Sequence, residues 1–277
     1  MDTPPRSKTK AKIWSVVDGA GRSRSDQLAT EEPLEIRFTA PKQTLAVTMR
    51  TPGADFDLAA GFLYAEGMIH HRNDIHHMSY CVDADIDGDQ RYNIVNVTLN
   101  DTSNLNLRFL ERHFFTTSAC GVCGKASLEA LQIRGCARLS DQHTINPETL
   151  YRLPDELRAA QGLFSSTGGL HAAALFDLDG NLLRVREDVG RHNALDKLIG
   201  AALIADELPL SQHIVMVSGR SSFELAQKCL MARVPILCAV SAPSSLAVTV
   251  AQEFGMTLIG FLREQRFNVY AGVERLK

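Results

Sequence analysis

HIVMVSGRSSFELAQKCLMARVPILCAVSAPSSLAVTVAQEFGMTLIGF, residues 213–261, decides the fold of this chain. Three short apolar runs, His213 to Val217, Ile236 to Val240 and Thr257 to Phe261, are separated by Phe223 to Ala232 and Leu246 to Phe254, whose apolar residues recur at helical spacing. Strand, helix, strand in strict alternation argues for parallel strands joined by right-handed crossovers.

Working outward, Leu170 to Phe176 and Leu182 to Arg186 flank Asp179-Gly180 and read as an antiparallel hairpin, and Asn193 to Ile204 carries helical periodicity. Hairpin, helix, then alternating strands and helices is the order of a cytidine-deaminase-like fold. The fold class is therefore α/β, with a three-layer α/β/α core and a mixed sheet in the C-terminal half. Further upstream, Asn146-Pro147 reads as an N-cap followed by a first-turn proline.

The first hundred residues have a different texture. Leu34 to Phe38 and Leu45 to Arg50 alternate as half-buried strands and are expected to pair. Asp57 to Glu66 has helical spacing and stops at Gly67, and Asn93 to Leu99 alternates again. Asp83, Asp85, Asp87 and Gly88 imitate the start of a calcium loop, but the twelfth position is Ile94, so the bidentate carboxylate is missing and a solvated hairpin turn is expected. The chain thus divides into a polar N-terminal tail (1–30), a smaller α+β domain (31–115), a cysteine loop with a helical connection (116–166) and an α/β nucleotide- or cofactor-binding domain (167–277).

In an open α/β sheet, ligands gather at the C-terminal ends of the strands. Ser218-Gly219-Arg220-Ser221-Ser222 and Ser241-Ala242-Pro243-Ser244-Ser245 each follow a strand and open a helix, where unpaired N–H groups, serine hydroxyls and the Arg220 fork suit a phosphate. Either turn alone is as well explained by serines capping helices; two in register, with an arginine, point toward a nucleotide. Glu187-Asp188-Val189-Gly190-Arg191-His192-Asn193 concentrates ionisable groups before a helix. It reads either as a cap with an exposed first turn or as a ligand contact. His171 is likewise either a hydrogen-bonded strand residue or a site residue.

Cys120-Gly121-Val122-Cys123 supplies the sulfur chemistry. Among Cys81, Cys120, Cys123, Cys136, Cys229 and Cys238, only this pair has a spacing that lets two sulfurs exchange a disulfide, share a metal or carry a transferable sulfur atom. Cys229 and Cys238 lie in apolar runs and read as core. A zinc deaminase would need Pro-Cys-x-x-Cys opening the second helix, where this chain has Ser218-Gly219-Arg220-Ser221. A structural zinc site from Cys120, Cys123, Cys136 and His113 or His143 stays open, without a second Cys-x-x-Cys to support it. A dithiol oxidoreductase is disfavoured because the pair does not follow the strand of a thioredoxin-like unit.

Net charge of −3 and a pI near 6.3 give no basic footprint for wholesale nucleic-acid binding. No apolar run approaches the ~20 residues of a spanning helix, and the N-terminus lacks a signal-peptide core. A cytoplasmic protein is expected, where a close cysteine pair serves catalysis or metal rather than crosslinking.

Several segments together resemble the FdhD family of formate dehydrogenase accessory sulfurtransferases. They are Ser118 to Gly124, Thr167 to Ala173, Glu187 to Lys197, Val217 to Arg220, Ala239 to Ser244, and Gly260-Phe261 through Asn268 to Tyr270. The resemblance runs from about Glu31 to Gly272. It implies a homodimer with a deaminase-like core that takes sulfur from a cysteine desulfurase as a Cys120 persulfide, with Cys123 as partner thiol. The sulfur would pass to the molybdenum (or tungsten) bis-guanine-dinucleotide cofactor destined for formate dehydrogenase, a cargo rather than a resident group; no permanently bound metal is expected. The implied binding loop is Phe261, Leu262, Arg263, Glu264, Gln265 and Arg266, and His171, Asp188, Arg191, His192, Ser218, Arg220, Ser221 and Ser241 are expected to line the same nucleotide site. Many relatives place glycine where this chain has Glu264, so the carboxylate must point away, pair with Arg263 or Arg266, or weaken binding. A contrasting role is that of a non-catalytic cofactor-binding scaffold.

Overall fold

The computed structural model describes residues 6–101, 131, 136–140 and 143–277. Three sheets organise it. The largest has six strands in the order β12-β11-β10-β9-β7-β8, formed by β7 (His171–Asp177), β8 (Leu182–Asp188), β9 (His213–Val217), β10 (Ile236–Ala239), β11 (Thr257–Arg263) and β12 (Arg266–Ala271). Strands β9, β10 and β11 are parallel, while β7, β8 and β12 make the sheet mixed.

Alternate residues of these strands go to opposite cores, which is why the runs are apolar throughout. Ala173, Leu175, Val215, Val217, Leu237 and Leu258 face α5 (Arg191–Ile204), α6 (Phe223–Met231) and α7 (Ser245–Phe254). Ala174, Phe176, Ile214, Met216, Ile236, Cys238 and Ile259 face Leu150, Leu153 and Leu157 of α3 (Pro147–Ala160). This is the expected α/β/α sandwich. Helix α3 starts as its sequence indicates, with Asn146 Oδ1 accepting from Glu148 N at 2.9 Å and Pro147 in the first turn. Cys229 and Cys238 are fully buried, and burial pushes both thiols well above their usual range.

The second sheet, order β4-β3-β6-β5, contains the expected pair β3 (Glu32–Thr39) and β4 (Lys42–Arg50), then β5 (Ile75–Tyr80) and β6 (Ile94–Leu99). Strand β5 was not expected: its Ile-His-His-Met-Ser-Tyr run lacks a clean alternation. Between β5 and β6 the aspartate-rich segment forms a loop with the short helix α2 (Gly88–Arg91), and Asp83 meets Arg37 at 2.8 Å and Lys42 at 3.1 Å. Leu34, Ile36, Phe38, Val95 and Val97 turn inward toward α1 (Asp55–Ala65), so one hydrophobic core runs from this sheet to the six-stranded one.

The third sheet corrects the reading of residues 1–30 as a tail. Strands β1 (Lys8–Val17) and β2 (Ala20–Ala29) pair along their whole length. Asp18 (φ 51°) and Gly19 (φ 81°) form a tight left-handed turn. Strand β1 sets Lys8, Lys10 and Lys12 against Thr9, Ala11 and Ile13, but its partner β2 is polar along most of its length, so no matching apolar face marked the pair.

Helices α1 and α5 cross at two glycines. A Cβ on Gly61 would collide with the Asp196 carbonyl, and one on Gly200 with the Asp57 carbonyl, backbone atoms of the opposite helix. Neither neighbour can yield as a side chain tip does. Gly200→Ala is therefore expected to cost more than about 3 kcal/mol, at or beyond the upper end of ordinary overpacking. Gly162→Ala, where a Cβ meets nothing within 4 Å, should be neutral. Urea denaturation of both variants checks the contrast.

Candidate functional site at the sheet edge

The C-terminal ends of β9, β10 and β11 lie along one edge of the sheet, and antiparallel pairing brings the start of β7 and the end of β8 to the same edge. There the two serine turns are knitted together. Ser241 N donates to Gly219 O at 3.4 Å, Ser244 N to Ser221 O at 2.8 Å, and Phe261 N to Ser241 O at 3.2 Å. Ser218 fastens the first turn to β7: its N–H donates to Ala172 O at 3.0 Å and its Oγ accepts from Ala172 N at 2.9 Å.

Capping explains only part of these serines. Ser244 Oγ accepts from Ala247 N at 3.3 Å and caps α7. Ser222 occupies the N-cap position of α6, but its hydroxyl lies 3.3 Å from His192 Nε2. His192 Nε2 also meets Glu224 Oε2 at 2.6 Å, a hydrogen bond that holds the Glu224 carboxyl below its usual range. Ser221 is fully buried, and its Oγ has no hydrogen-bond partner among the described residues. Arg220 is exposed. His171 packs against Gly219, where a Cβ would sit 3.3 Å from its Nδ1. Arg191, whose Nε is buried without a partner among the described residues, lies close enough to act on His171 electrostatically. Burial first, then the Arg191 and His192 charges, lower the His171 pKa.

Asp188 stands apart. It is fully buried, its Oδ1 accepting from Gly190 N at 2.8 Å and Asn193 Nδ2 at 3.0 Å, its Oδ2 from Thr51 N at 3.1 Å and paired with Lys197 Nζ at 2.6 Å. Its acceptors are committed to the fold, behind the edge rather than on it. Glu187 is committed too, accepting from Leu163 N and Phe164 N at the start of the short helix α4 (Gly162–Thr167).

The loop 261–266 begins at this edge and leaves it. Two residues of β11, Phe261 and Leu262, fall between the pairs Gly260↔Asn268 and Arg263↔Arg266, a bulge that leaves Phe261 at φ 54° and 37% exposed. Leu262 points the other way and is fully buried in the core under α3, so its side chain holds the loop rather than offering a contact. Glu264 has φ 53°. That left-handed conformation costs a residue with a Cβ about 1–2 kcal/mol and is one that glycine adopts freely. Neither Arg263 nor Arg266 forms an ion pair with Glu264 among the described residues. Glu264, Gln265 and Arg266 instead form one wall of a groove of about 830 Å³, whose other wall is Tyr151, Arg152, Asp155 and Glu156 of α3. Sequence reading missed that wall because the helix was taken as connection; its alternation of buried leucines with exposed charges was the available signal.

Cys120 and Cys123 lie outside the described residues, as does His113. Cys136 Sγ hydrogen-bonds Met231 Sδ at 3.3 Å. No group of three or more metal-ligating side chains gathers among the described residues.

Two outcomes follow. Asp188→Asn leaves the buried Lys197 ammonium without its counter-charge and should cost about 3–5 kcal/mol, whereas Asp188→Asn combined with Lys197→Met should cost less than the sum of the two single changes in urea titrations. His171 should titrate below the ordinary histidine value of about 6.5, and Arg191→Ala should move its NMR midpoint partway back. Because folding keeps His171 neutral, the unfolded chain binds this proton first, and stability falls as pH drops through the ordinary histidine range toward the native midpoint.

Known proteins resemble this chain along nearly its whole length. The sulfur carrier protein FdhD of Streptomyces coelicolor is 52% identical over 273 residues, covering 98% of this chain and 96% of its own length. That of Mycobacterium tuberculosis is 52% identical over 258 residues (92% and 93%), and that of Sulfurisphaera tokodaii 43% over 268 (96% and 98%). A Desulfotalea psychrophila protein whose crystal structure is described as that of a formate dehydrogenase accessory protein superposes with a TM-score of 0.75 at 23% identity, covering 98% of this chain and 99% of that one, and shares the fold. Residues 29–277 match the FdhD/NarQ family, and the chain belongs to it.

Proposed function

We propose that this protein is a sulfur carrier that loads sulfane sulfur on Cys120 and delivers it to a molybdenum bis-guanine-dinucleotide cofactor bound for formate dehydrogenase. The observation that carries the reading is near-full-length similarity, at about half of all positions, to relatives named as sulfur carriers. In loading, the Cys120 thiolate attacks the outer sulfur of a cysteine desulfurase persulfide. A new S–S bond forms to Cys120, the donor S–S bond breaks, and the donor cysteine leaves as thiolate. Cys123, three residues away, is the partner thiol.

The cofactor is cargo. Its phosphates suit the sheet edge, where the N-termini of α6 and α7 lie with Arg191, Ser218, Arg220 and Ser241. Its nucleotide end suits the loop 261–266, which continues from Ser241 to the groove beside α3. Two copies of the chain would work together, in the cytoplasm; among the described residues no helix is long and apolar enough to cross a membrane.

Intact mass after incubation with a cysteine desulfurase and cysteine tests the reading. A reducible gain of about 32 Da per sulfur is expected in the wild type and in Cys123→Ser but not in Cys120→Ser. A Cys120→Ser variant that still supports formate dehydrogenase activity would instead make the protein a scaffold for the cofactor.

A further inference from the structure

The β1–β2 hairpin is an arm whose β2 root packs beside α4 and whose tip no described residue of its own chain covers. It is tied down at its root, where Thr30 N donates to Ser7 O at 3.0 Å and the Thr9 and Thr30 hydroxyls meet at 2.8 Å. Toward the tip, Trp14 is 69% exposed, Val16 62% and Val17 58%. Strand register places Lys8, Lys10, Lys12, Trp14 and Val16 on one face, opposite Gln27, Ser25 and Ser23. A two-stranded ribbon is at best marginally stable alone in water, so an arm this long calls for a surface that is always at hand. A second copy of the same chain is such a surface.

Charge points the same way. Residues 6–29 hold six basic side chains against Asp18 and Asp26, a net +4 in a chain whose total is −3, which leaves −7 on the rest. The body also offers a matching face. On the outer side of the four-stranded sheet, opposite the buried Leu34, Ile36 and Phe38, the segment through Cys81 and Asp83 covers Arg37, while the end formed by Pro33, Glu35, Val47 and Met49 stays open among the described residues. There the cross-strand pairs Pro33↔Met49 and Glu35↔Val47 set an apolar strip beside a carboxylate, with Val47 62% and Met49 47% exposed.

We infer that two copies exchange arms, the Trp14 and Val16 face of each lying on the Val47 and Met49 strip of the other with the arm lysines toward its acidic body. Such a contact is self-complementary and closes as a two-fold dimer. The inference rests on the two-copy assembly put forward above and names its surface.

Trp14 is the only tryptophan in the chain, so its fluorescence reports the arm alone. Sedimentation of the full-length protein should show a dimer in which Trp14 emission is blue-shifted and shielded from acrylamide, with both features lost on dilution to monomer. Lys10→Glu with Lys12→Glu, which leaves Trp14 in place, and separately Val47→Asp should each weaken association by about thirtyfold, as loss of a central anchor does. Higher salt should weaken the wild-type dimer as well. A dimer whose Trp14 stays open to quencher would overturn the exchange while leaving two-copy assembly intact, and unchanged association in Val47→Asp would overturn the receiving face. A monomer at all concentrations would remove both the exchange and the assembly beneath it.

Discussion

A single buried carboxylate sets the relation between the two large sheets. Asp188 ends β8, in the six-stranded sheet, yet it accepts from Thr51 N, in the segment joining β4 to α1, and pairs with Lys197, whose Nζ also donates to Thr51 O at 2.7 Å. A charge taken out of water is tolerated only when its remaining lone pairs are filled, and Asp188 meets that condition with two backbone N–H groups, an amide and an ammonium. Asn193 extends the link by donating to Met49 O at 2.7 Å. The contact is specific in position because a shift of either sheet would strand the charges.

Around it, α5 is held from several sides. Asp196 and Lys197 are adjacent in sequence and so point in different directions on the helix: Lys197 to β8, Asp196 to Lys228 of α6 at 2.7 and 3.0 Å. Burial works against the Lys228 charge, but the Asp196 carboxylate, with Glu66 adding to it, outweighs burial and keeps the ammonium protonated. The glycine crossing with α1 then brings the two helices to backbone contact. A parallel network anchors the other end of α1, where the buried Arg50 meets Asp55 at 3.1 Å through two bonds and Tyr80 donates to Asp55 Oδ2 at 3.2 Å. Burial and that carboxylate push Tyr80 up to about 12.

These contacts explain what was legible in the sequence and what was not. The α/β half was readable because its strands alternate between two apolar cores and its helices begin with recognisable caps, as at Asn146-Pro147 and Ser244. The segment from Glu187 to Asn193 was recognisable as important but not divisible from sequence. Only three-dimensional pairing shows that Glu187, Asp188 and Asn193 serve the fold while Arg191 and His192 approach the edge. Leu262 was obscured in the same way, since neighbours along a strand face opposite sides and only the structure shows that its side lies in the core. The arm escaped notice because β2 is polar along most of its length and the apolar residues of β1 are exposed or half-buried, so no buried face marks the pair.

The division of labour inside one short segment has a physical logic. Behind the edge, the buried Asp188 carboxylate has all its acceptor positions engaged, which fixes the backbone that carries Arg191 and His192. At the edge itself, Ser221 Oγ and Arg191 Nε are buried without partners among the described residues, a condition that costs about 1–3 kcal/mol per group in a folded protein. Unsatisfied polar groups persist where the surroundings over-determine them, and such places concentrate at sites that act on something else. The same reasoning applies to Glu264 and Phe261, each held at positive φ along the strand that leads from this edge to the groove beside α3. Phe261 and Glu264 lie on the path that runs from the serine turns to the groove, while the Asp188 network fixes the neighbouring backbone that carries Arg191 and His192.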